Sequence, residues 1–459
     1  MNAKANLSSA PKIAALRTQF SADGRAVFEP GSDGYAQAMR IWNGAVTHEP
    51  ALVAPCRTVD DIRFALAAAQ AHGFPISVRG GGHDWAGRAL RHGGLVLDLS
   101  VMRQVTVKPE AKEAWIAGGA TAADVNAATA ASGLDAVTGY SGAVGMAGLI
   151  TGGGYGPLMT RFGLAADSLL AVEVVLADGR LVAADRSQNA DLFWALQGGG
   201  CNFGVVTSIR IRLHETGPML GGAILFPWKD ARAVLRGYAE IMLSGLDGFA
   251  STIALTVGPE GAPVVAVGPG WSGDAAQGEQ LMARLQSLGT PSLVKIGPIK
   301  PSGILDIYDA RLLNGRHQEV RTRWLQDLTP EVISTLIAAF EARISPFSSV
   351  VMHHFHGAGP RVAPDATAFG MRREHFTALI YSAWDPKPGE DSAPHRQWAA
   401  DLSANLAPLA FPGGYANLLA PDAHDQIAAA YGVNAARLAR LKQKFDPNNI
   451  FSSAIPLPK

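Results

Sequence analysis

The chain has 459 residues, 48% of them hydrophobic, with 39 Lys plus Arg set against 39 Asp plus Glu. That length admits roughly three domains, or two large ones, and the apolar share is ample for their cores. Zero net charge with no basic run argues against nucleic acid as a partner. Cys56 and Cys201 are too few for a disulfide framework, and no apolar window reaches membrane-spanning length. The N-terminus has no secretory pattern, so the composition predicts a soluble, cytoplasmic protein. The 51 glycines cluster, which points to local backbone demands rather than disorder.

In chain order, residues 12–45 read as a helical lead-in and a loop ending near Trp42-Asn43. From Pro50 the texture alternates between β and α. Ala51–Ala54 is strand-like, Thr58 with Asp61 caps a helix through Ile62–Leu66, and Gly73 ends it. Pro75–Val78 is a short buried strand leading into Arg79-Gly80-Gly81-Gly82-His83-Asp84-Trp85-Ala86-Gly87. A glycine run after a strand lets backbone approach a ligand closely and aim successive N–H groups at it, a concavity suited to phosphate. Arg79 would add a forked positive charge beside it. The same residues also suit an ordinary loop with a solvated histidine.

Leu95–Leu99, Val105–Val107 and Ala114–Ala117 follow as short strands, then a helix capped by Thr121 and Asp124. Between Thr138 and Gly156 lie eight glycines, at 139, 142, 145, 148, 152, 153, 154 and 156. That density predicts a wrapped loop rather than a helix. Val172–Leu176 and Leu181–Ala184 flank Asp178-Gly179 as a hairpin. A short helix, Asp191–Leu196, precedes Gly198–Thr207, and a strand runs from Ser208 to Leu213. From about Gly217 to Ala410 strands alternate with helices such as Asp230–Ser244, predicting an antiparallel sheet with helices on one face. Within it, Ser349–Ala358 reads as a strand that turns His353 and Phe355 to one side, His354 and His356 to the other.

A nicotinamide-type dinucleotide fold fits poorly, because Gly80-Gly81-Gly82 is not a spaced G-x-G-x-x-G opening a helix. No His/Cys/Asp set stands at metal-ligand spacing, so no metal site is expected.

Four ordered segments, RGGGH, GYSGAVGMAGLITGGGYG, GLAADSLLAVEVVLADG and DLFWALQGGGCNFGVVT, resemble the vanillyl-alcohol-oxidase superfamily of flavoproteins. Within it the chain is similar to berberine-bridge-enzyme-like and 6-hydroxynicotine oxidases, from about Ala51 to Phe451. The tail Tyr415-Ala416-Asn417-Leu418 and Phe445-Asp446-Pro447-Asn448-Asn449-Ile450-Phe451 resembles the family's C-terminal return. The resemblance implies an α+β fold. A two-part PCMH-type FAD-binding domain would cover 1–216 (core about 46–216), an antiparallel substrate domain 217–410, and a return segment 411–459.

It also implies FAD, bonded through its 8α-methyl carbon to His83. A neutral imidazole nitrogen is a competent nucleophile for that carbon, although FAD held without a bond is the alternative. Cofactor contacts are implied for Arg79, Gly80, Gly81, Gly82, His83 and Gly87 in the first motif. In the second they fall on Thr138, Gly139, Ser141, Gly145, Gly148, Gly152, Gly153, Gly154 and Tyr155. Asp167, Gly204, Val205 and Val206 follow, then Tyr415 and Asn417 in the tail. Some relatives carry a second link through a Cys at the position of Ser141, where serine cannot form a thioether, so a single bond is expected.

Relatives commonly place a base, often acidic, on the strand holding His353, and here no carboxylate occupies it. The offset to Gly357-Ala358 favours His353 and leaves His354 next, while Tyr415 could also meet substrate. A histidine base would titrate near about 6.5 before any effect of burial. The implied activity is hydride removal from a C–O or C–N centre of a small organic molecule, with O2 as electron acceptor. Oxidative tailoring without oxygen turnover, or a dehydrogenase using another acceptor, are the alternatives. Oligomeric state is not legible.

Overall fold

Three β-sheets, built from stretches of different texture, position the functional residues; the computed structural model describes residues 3–309 and 314–458. The first sheet is parallel, order β1-β3-β2, from β1 (Leu52–Pro55), β2 (Ile76–Arg79) and β3 (Leu95–Asp98). Such strands are covered on both faces, which is why β1 and β3 read as largely apolar runs, while β2 also carries Ser77 and Arg79. The helix Val59–Ala71 covers one side, its start fixed by a reciprocal capping box between Thr58 and Asp61. Residues 80–87 leave the C-terminal end of β2, where open α/β sheets place ligands.

The second sheet is antiparallel, order β4-β5-β8-β6-β7: β4 (Val105–Lys108), β5 (Glu113–Ala117), β6 (Leu169–Val175), β7 (Leu181–Asp185) and β8 (Val205–Arg212). The last of these begins at Val205 rather than Ser208, because Val205 and Val206 already pair with Val175 and Val174. The glycine-dense block also departs from the expectation of a continuous loop. It holds a six-residue helix, Met146–Thr151, with Gly145 and Gly152 as its caps. Gly148 alone lies inside, and burial of Met146, Leu149 and Ile150 outweighs its weak helix propensity.

The third sheet has eight strands in the order β12-β9-β11-β10-β14-β15-β13-β16. They are β9 (Met219–Pro227), β10 (Phe249–Val257), β11 (Pro263–Trp271), β12 (Leu293–Ile299), β13 (His317–Leu325), β14 (Ser349–Phe355), β15 (His375–Trp384) and β16 (Ala410–Phe411). Helices Ala231–Met242, Pro330–Glu341 and Ala393–Leu406 bury Tyr238, Phe340 and Leu402 in one core with Phe376, Ala378 and Ile380 of β15. The alternate residues of β15 are left facing the first two sheets. The segment after β16 returns to them, placing Leu438 and Leu441 of the helix Ala435–Phe445 in their core.

One buried ion pair ties the halves together. The Arg372 side chain is 0% exposed and meets both Asp167 oxygens at 2.7 and 2.8 Å, as well as Thr367 Oγ1 at 2.8 Å. Removing one partner strands a buried charge, which costs about 3–5 kcal/mol. Arg372→Ala should therefore lower the urea unfolding midpoint by that equivalent. Arg180→Ala, from an exposed pair with Asp178, should cost under about 1 kcal/mol. Equal, small shifts for the two would show that the buried pair does not hold the halves together.

Candidate active site

A cavity of about 320 Å³ opens where the three sheets meet. One wall is backbone. Gly80, Gly81 and Gly82 after β2 and Gly139, Gly145 and Gly148 of the glycine block all line it. A Cβ on Gly81 would lie 2.5 Å from the Gly145 nitrogen, and one on Gly145 would lie 2.7 Å from the Gly81 nitrogen. Any side chain at either position would push the two loops apart. Gly82 turns with φ +67°, and its carbonyl accepts from the Trp42 N–H at 2.9 Å. That brings Trp42 over His83, rings parallel within 8° and 4.5 Å apart.

The facing wall comes from β14 and β15. Their register pairs His353 with Thr377, and strand alternation puts Thr377, Leu379 and Tyr381 on the cavity side. His353 stacks on Tyr140 at 4.3 Å and is 4% exposed, its Nδ1 without a hydrogen-bond partner among the described residues. Burial pushes its pKa down to about 3, so the ring is neutral throughout the physiological range, not titrating near the free-imidazole value. His354 does not reach the cavity. It faces the helices, tilted against Phe376 at 4.4 Å and stacked on His356 at 4.6 Å, and burial lowers it to about 3 as well.

The third wall is the return segment. The Tyr415 oxygen accepts from the Gly154 N–H at 3.1 Å and from Asn417 Nδ2 at 2.8 Å. Burial raises its pKa to about 12 against the pull of those two donors. Tyr155 sits edge-on to Tyr415 at 4.8 Å and hydrogen-bonds His375 Nε2 at 2.9 Å. Among the described residues on the lining the one carboxylate and the one guanidinium, Asp84 and Arg88, neutralise each other at 2.7 Å.

Several residues singled out in the sequence stand behind the cavity rather than on it. Arg79 Nη1 meets both Asp98 oxygens at 2.9 and 3.1 Å, and Asp167 is paired with Arg372. Gly87 is packed on Val46, Gly152 on Asn417, Gly153 on Phe369 and Gly154 on Ala165, and Thr138 bonds the neighbouring Gly139 carbonyl. Their glycines serve close packing of the loops. His83, Ser141, Tyr155, Gly204, Val205, Val206, His353, Tyr415 and Asn417 do line it. Trp42, Tyr140, Thr377, Leu379 and Tyr381 join them without having been singled out. Tyr140 was within reach of sequence reasoning, being next to Ser141, whereas the β15 residues become visible only through register with His353. Cys201 is on the lining, 3.3 Å from Thr151 Oγ1, while Cys56 is buried elsewhere in the core of the parallel sheet.

Residues 50–185 match a family model described as an FAD binding domain, and residues 414–458 match one described as berberine and berberine-like. The (R)-6-hydroxynicotine oxidase of Paenarthrobacter nicotinovorans is 29% identical over 95% of this chain and 97% of its own. The crystal structure of 6-hydroxy-D-nicotine oxidase from Arthrobacter nicotinovorans superposes with a TM-score of 0.84 at 28% identity, over 94% of this chain and 97% of that one. The glucooligosaccharide oxidase of Acremonium strictum, which carries a 6-S-cysteinyl, 8α-N1-histidyl FAD, shares the fold, with a TM-score of 0.83 at 22% identity over 97% and 100% of the two chains. The residues present suit a flavin cofactor: a cleft walled by side-chain-free backbone at Gly81 and Gly145 opens beside the His83 ring into an aromatic chamber. Over nearly its whole length the chain is similar to FAD-linked oxidoreductases, with an FAD binding domain at residues 50–185 and a berberine-like segment at residues 414–458.

Proposed function

We propose that this enzyme is an oxidase that removes a hydride from a C–O or C–N centre of an uncharged, flat organic molecule and passes the electrons to O2. The observation that carries the reading is the facing of His83 and His353 across one cavity, each ring held by an aromatic stack. FAD, when bound, supplies the hydride acceptor and returns the electrons to O2 as hydrogen peroxide. Gly80–Gly82 and Gly145 would hold it by backbone, and His83 would tether it by one bond. Ser141 gives no thiol for a second bond; its oxygen is 3.3 Å from the Ala143 N–H.

The lining also restricts the substrate. Asp84 and Arg88 satisfy each other, so no unpaired charge is left to hold a carboxylate or an ammonium group. Tyr140, Tyr381, Leu379 and Leu418 favour a planar, apolar body. His353, neutral with a free nitrogen, accepts the hydroxyl or amine proton. Its low basicity is no obstacle, because that proton becomes strongly acidic as the hydride leaves and a carbonyl or imine forms. Tyr415 has its oxygen filled by two N–H donors, so its own hydrogen is free to donate.

Two outcomes test this reading. Purified protein should be yellow and keep its flavin through acid precipitation, with the adduct on the peptide containing His83; His83→Ala should release it. A second adduct on Cys201 would overturn the single bond, and flavin that washes out of wild type would overturn the bond itself. Second, with a substrate found by anaerobic bleaching of the flavin band, His353→Ala should slow reduction by about 10²–10⁴-fold. His354→Ala should leave it near wild type. Because the folded pKa of His353 lies near 3, its accepting form persists as pH falls, and no loss of reduction rate assignable to it should occur between pH ~8 and ~5. An inflection near pH ~6.5 that vanishes in His353→Ala would contradict that burial. Stoichiometric peroxide separates an oxidase from a dehydrogenase.

A further inference from the structure

One corner of the cavity holds polar groups that the chemistry above does not use. His375 opens β15 and is 0% exposed. Its Nδ1 lies 2.7 Å from the Arg373 carbonyl, and its Nε2 lies 2.9 Å from both Tyr155 Oη and Thr377 Oγ1. A carbonyl oxygen only accepts, so the ring hydrogen sits on Nδ1. Burial keeps the ring neutral, its pKa pushed down to about 4, and Nε2 therefore presents a lone pair. Tyr155 and Thr377 both converge on that lone pair. Both hydroxyl hydrogens are thus turned toward Nε2, which takes them as a shared acceptor, and the oxygens present lone pairs to anything in the cavity.

Tyr155 and Thr377 both line the cavity, and Thr377 is the cross-strand partner of His353 on the same sheet face. The triangle is therefore next to the group assigned to take the substrate proton. Tyr415, on the other side of Tyr155, has the opposite polarity, with its oxygen filled and its hydrogen available.

We infer that Tyr155, Thr377 and His375 form a locked acceptor site, which selects substrates offering an O–H or N–H at the β15 end of the cavity and rejects those offering an ether or carbonyl there. His375 is a positioning residue: it touches no substrate but sets which way the two hydroxyls point. The inference rests on this cavity being the substrate pocket. A site built around hydrogen bonds discriminates against an analogue lacking the donor, because its own polar groups are then left unpaired.

The test uses the protein as purified, ¹⁵N-labelled at histidine, with phenol and anisole as probes of the same shape that differ in the donor. His375, assigned by the resonances missing from His375→Gln, should show a protonated Nδ1 and an unprotonated Nε2. Phenol should bind about tenfold more tightly than anisole and shift the Nε2 resonance, as expected for one hydrogen bond. Thr377→Val and Tyr155→Phe should each reduce that preference. His375→Gln, whose amide can donate to the hydroxyls, should abolish it. Thr377→Val, a near-isosteric change on a strand, keeps the test open if Tyr155→Phe fails to fold. An Nε2-protonated tautomer, failure of phenol to bind, or a preference that survives His375→Gln would each overturn the inference. Protein lacking flavin would overturn the oxidase reading alone, since the tautomer and the probe preference are read without turnover.

Discussion

The close approach of two backbones at Gly81 and Gly145 is the constraint on which the rest of the site depends. Each position would clash with the other's main chain if it carried a Cβ, at 2.5 and 2.7 Å. Similar contacts continue behind them, where a Cβ on Gly119, after β5, would meet the carbonyl oxygen of Leu99, after β3, at 1.8 Å. The parallel sheet, which delivers the first loop, and the antiparallel sheet, which carries the second, are thereby held at a spacing set by main chain alone. A side chain can adapt by changing rotamer, but backbone pressed on backbone cannot. The cleft is correspondingly a fixed width, and His83, one residue beyond the glycine run, inherits a fixed position under Trp42.

The opposite wall obeys a different rule. Across β14 and β15 the choice between cavity and helix core is made by parity, so a one-residue slip would exchange His353 for His354 and Thr377 for Phe376 or Ala378. Register is fixed because the helix-facing set is large and apolar: Phe376, Ala378 and Ile380 could not be turned to a polar cavity without losing burial of order 1.5–3 kcal/mol for each large side chain. The polar face of the sheet is held in place by the apolar one.

These two rules explain what could be read from the sequence. Glycine clusters, capping pairs such as Thr58–Asp61 and Thr121–Asp124, and the alternation around His353 are local signals, and the elements follow them. The helix Met146–Thr151 escaped because propensity counted its flanking glycines against it, while tertiary burial of three residues decided the matter. Arg79 looked like a phosphate ligand because its partner, Asp98, is adjacent in the sheet but nineteen residues away in sequence. Asp167 likewise has a partner out of sequence range, Arg372 being 205 residues distant. Trp42, Tyr381 and Thr377 carry no local signature at all. They are recruited by long-range packing, and only a strand register or a loop contact brings them to the cavity.

Burial then sets the chemistry in a way composition does not suggest. Four groups on or beside the cavity, His353, His375, Tyr155 and Tyr415, all have their neutral forms favoured by desolvation. The single acid–base pair on the lining is self-neutralising. A chamber without net charge cannot drive a reaction by a standing field. It must work through directed hydrogen bonds, whose polarity is decided by which atom holds each proton. The Arg373 carbonyl fixes the proton of His375, two N–H donors fix that of Tyr415, and His353 keeps its Nδ1 without a partner among the described residues. On the role proposed for His353, with no standing charge to stabilise an ionised hydroxyl, proton loss to that nitrogen would become favourable only as the hydride departs, which would couple the two transfers and protect the resting site from premature ionisation.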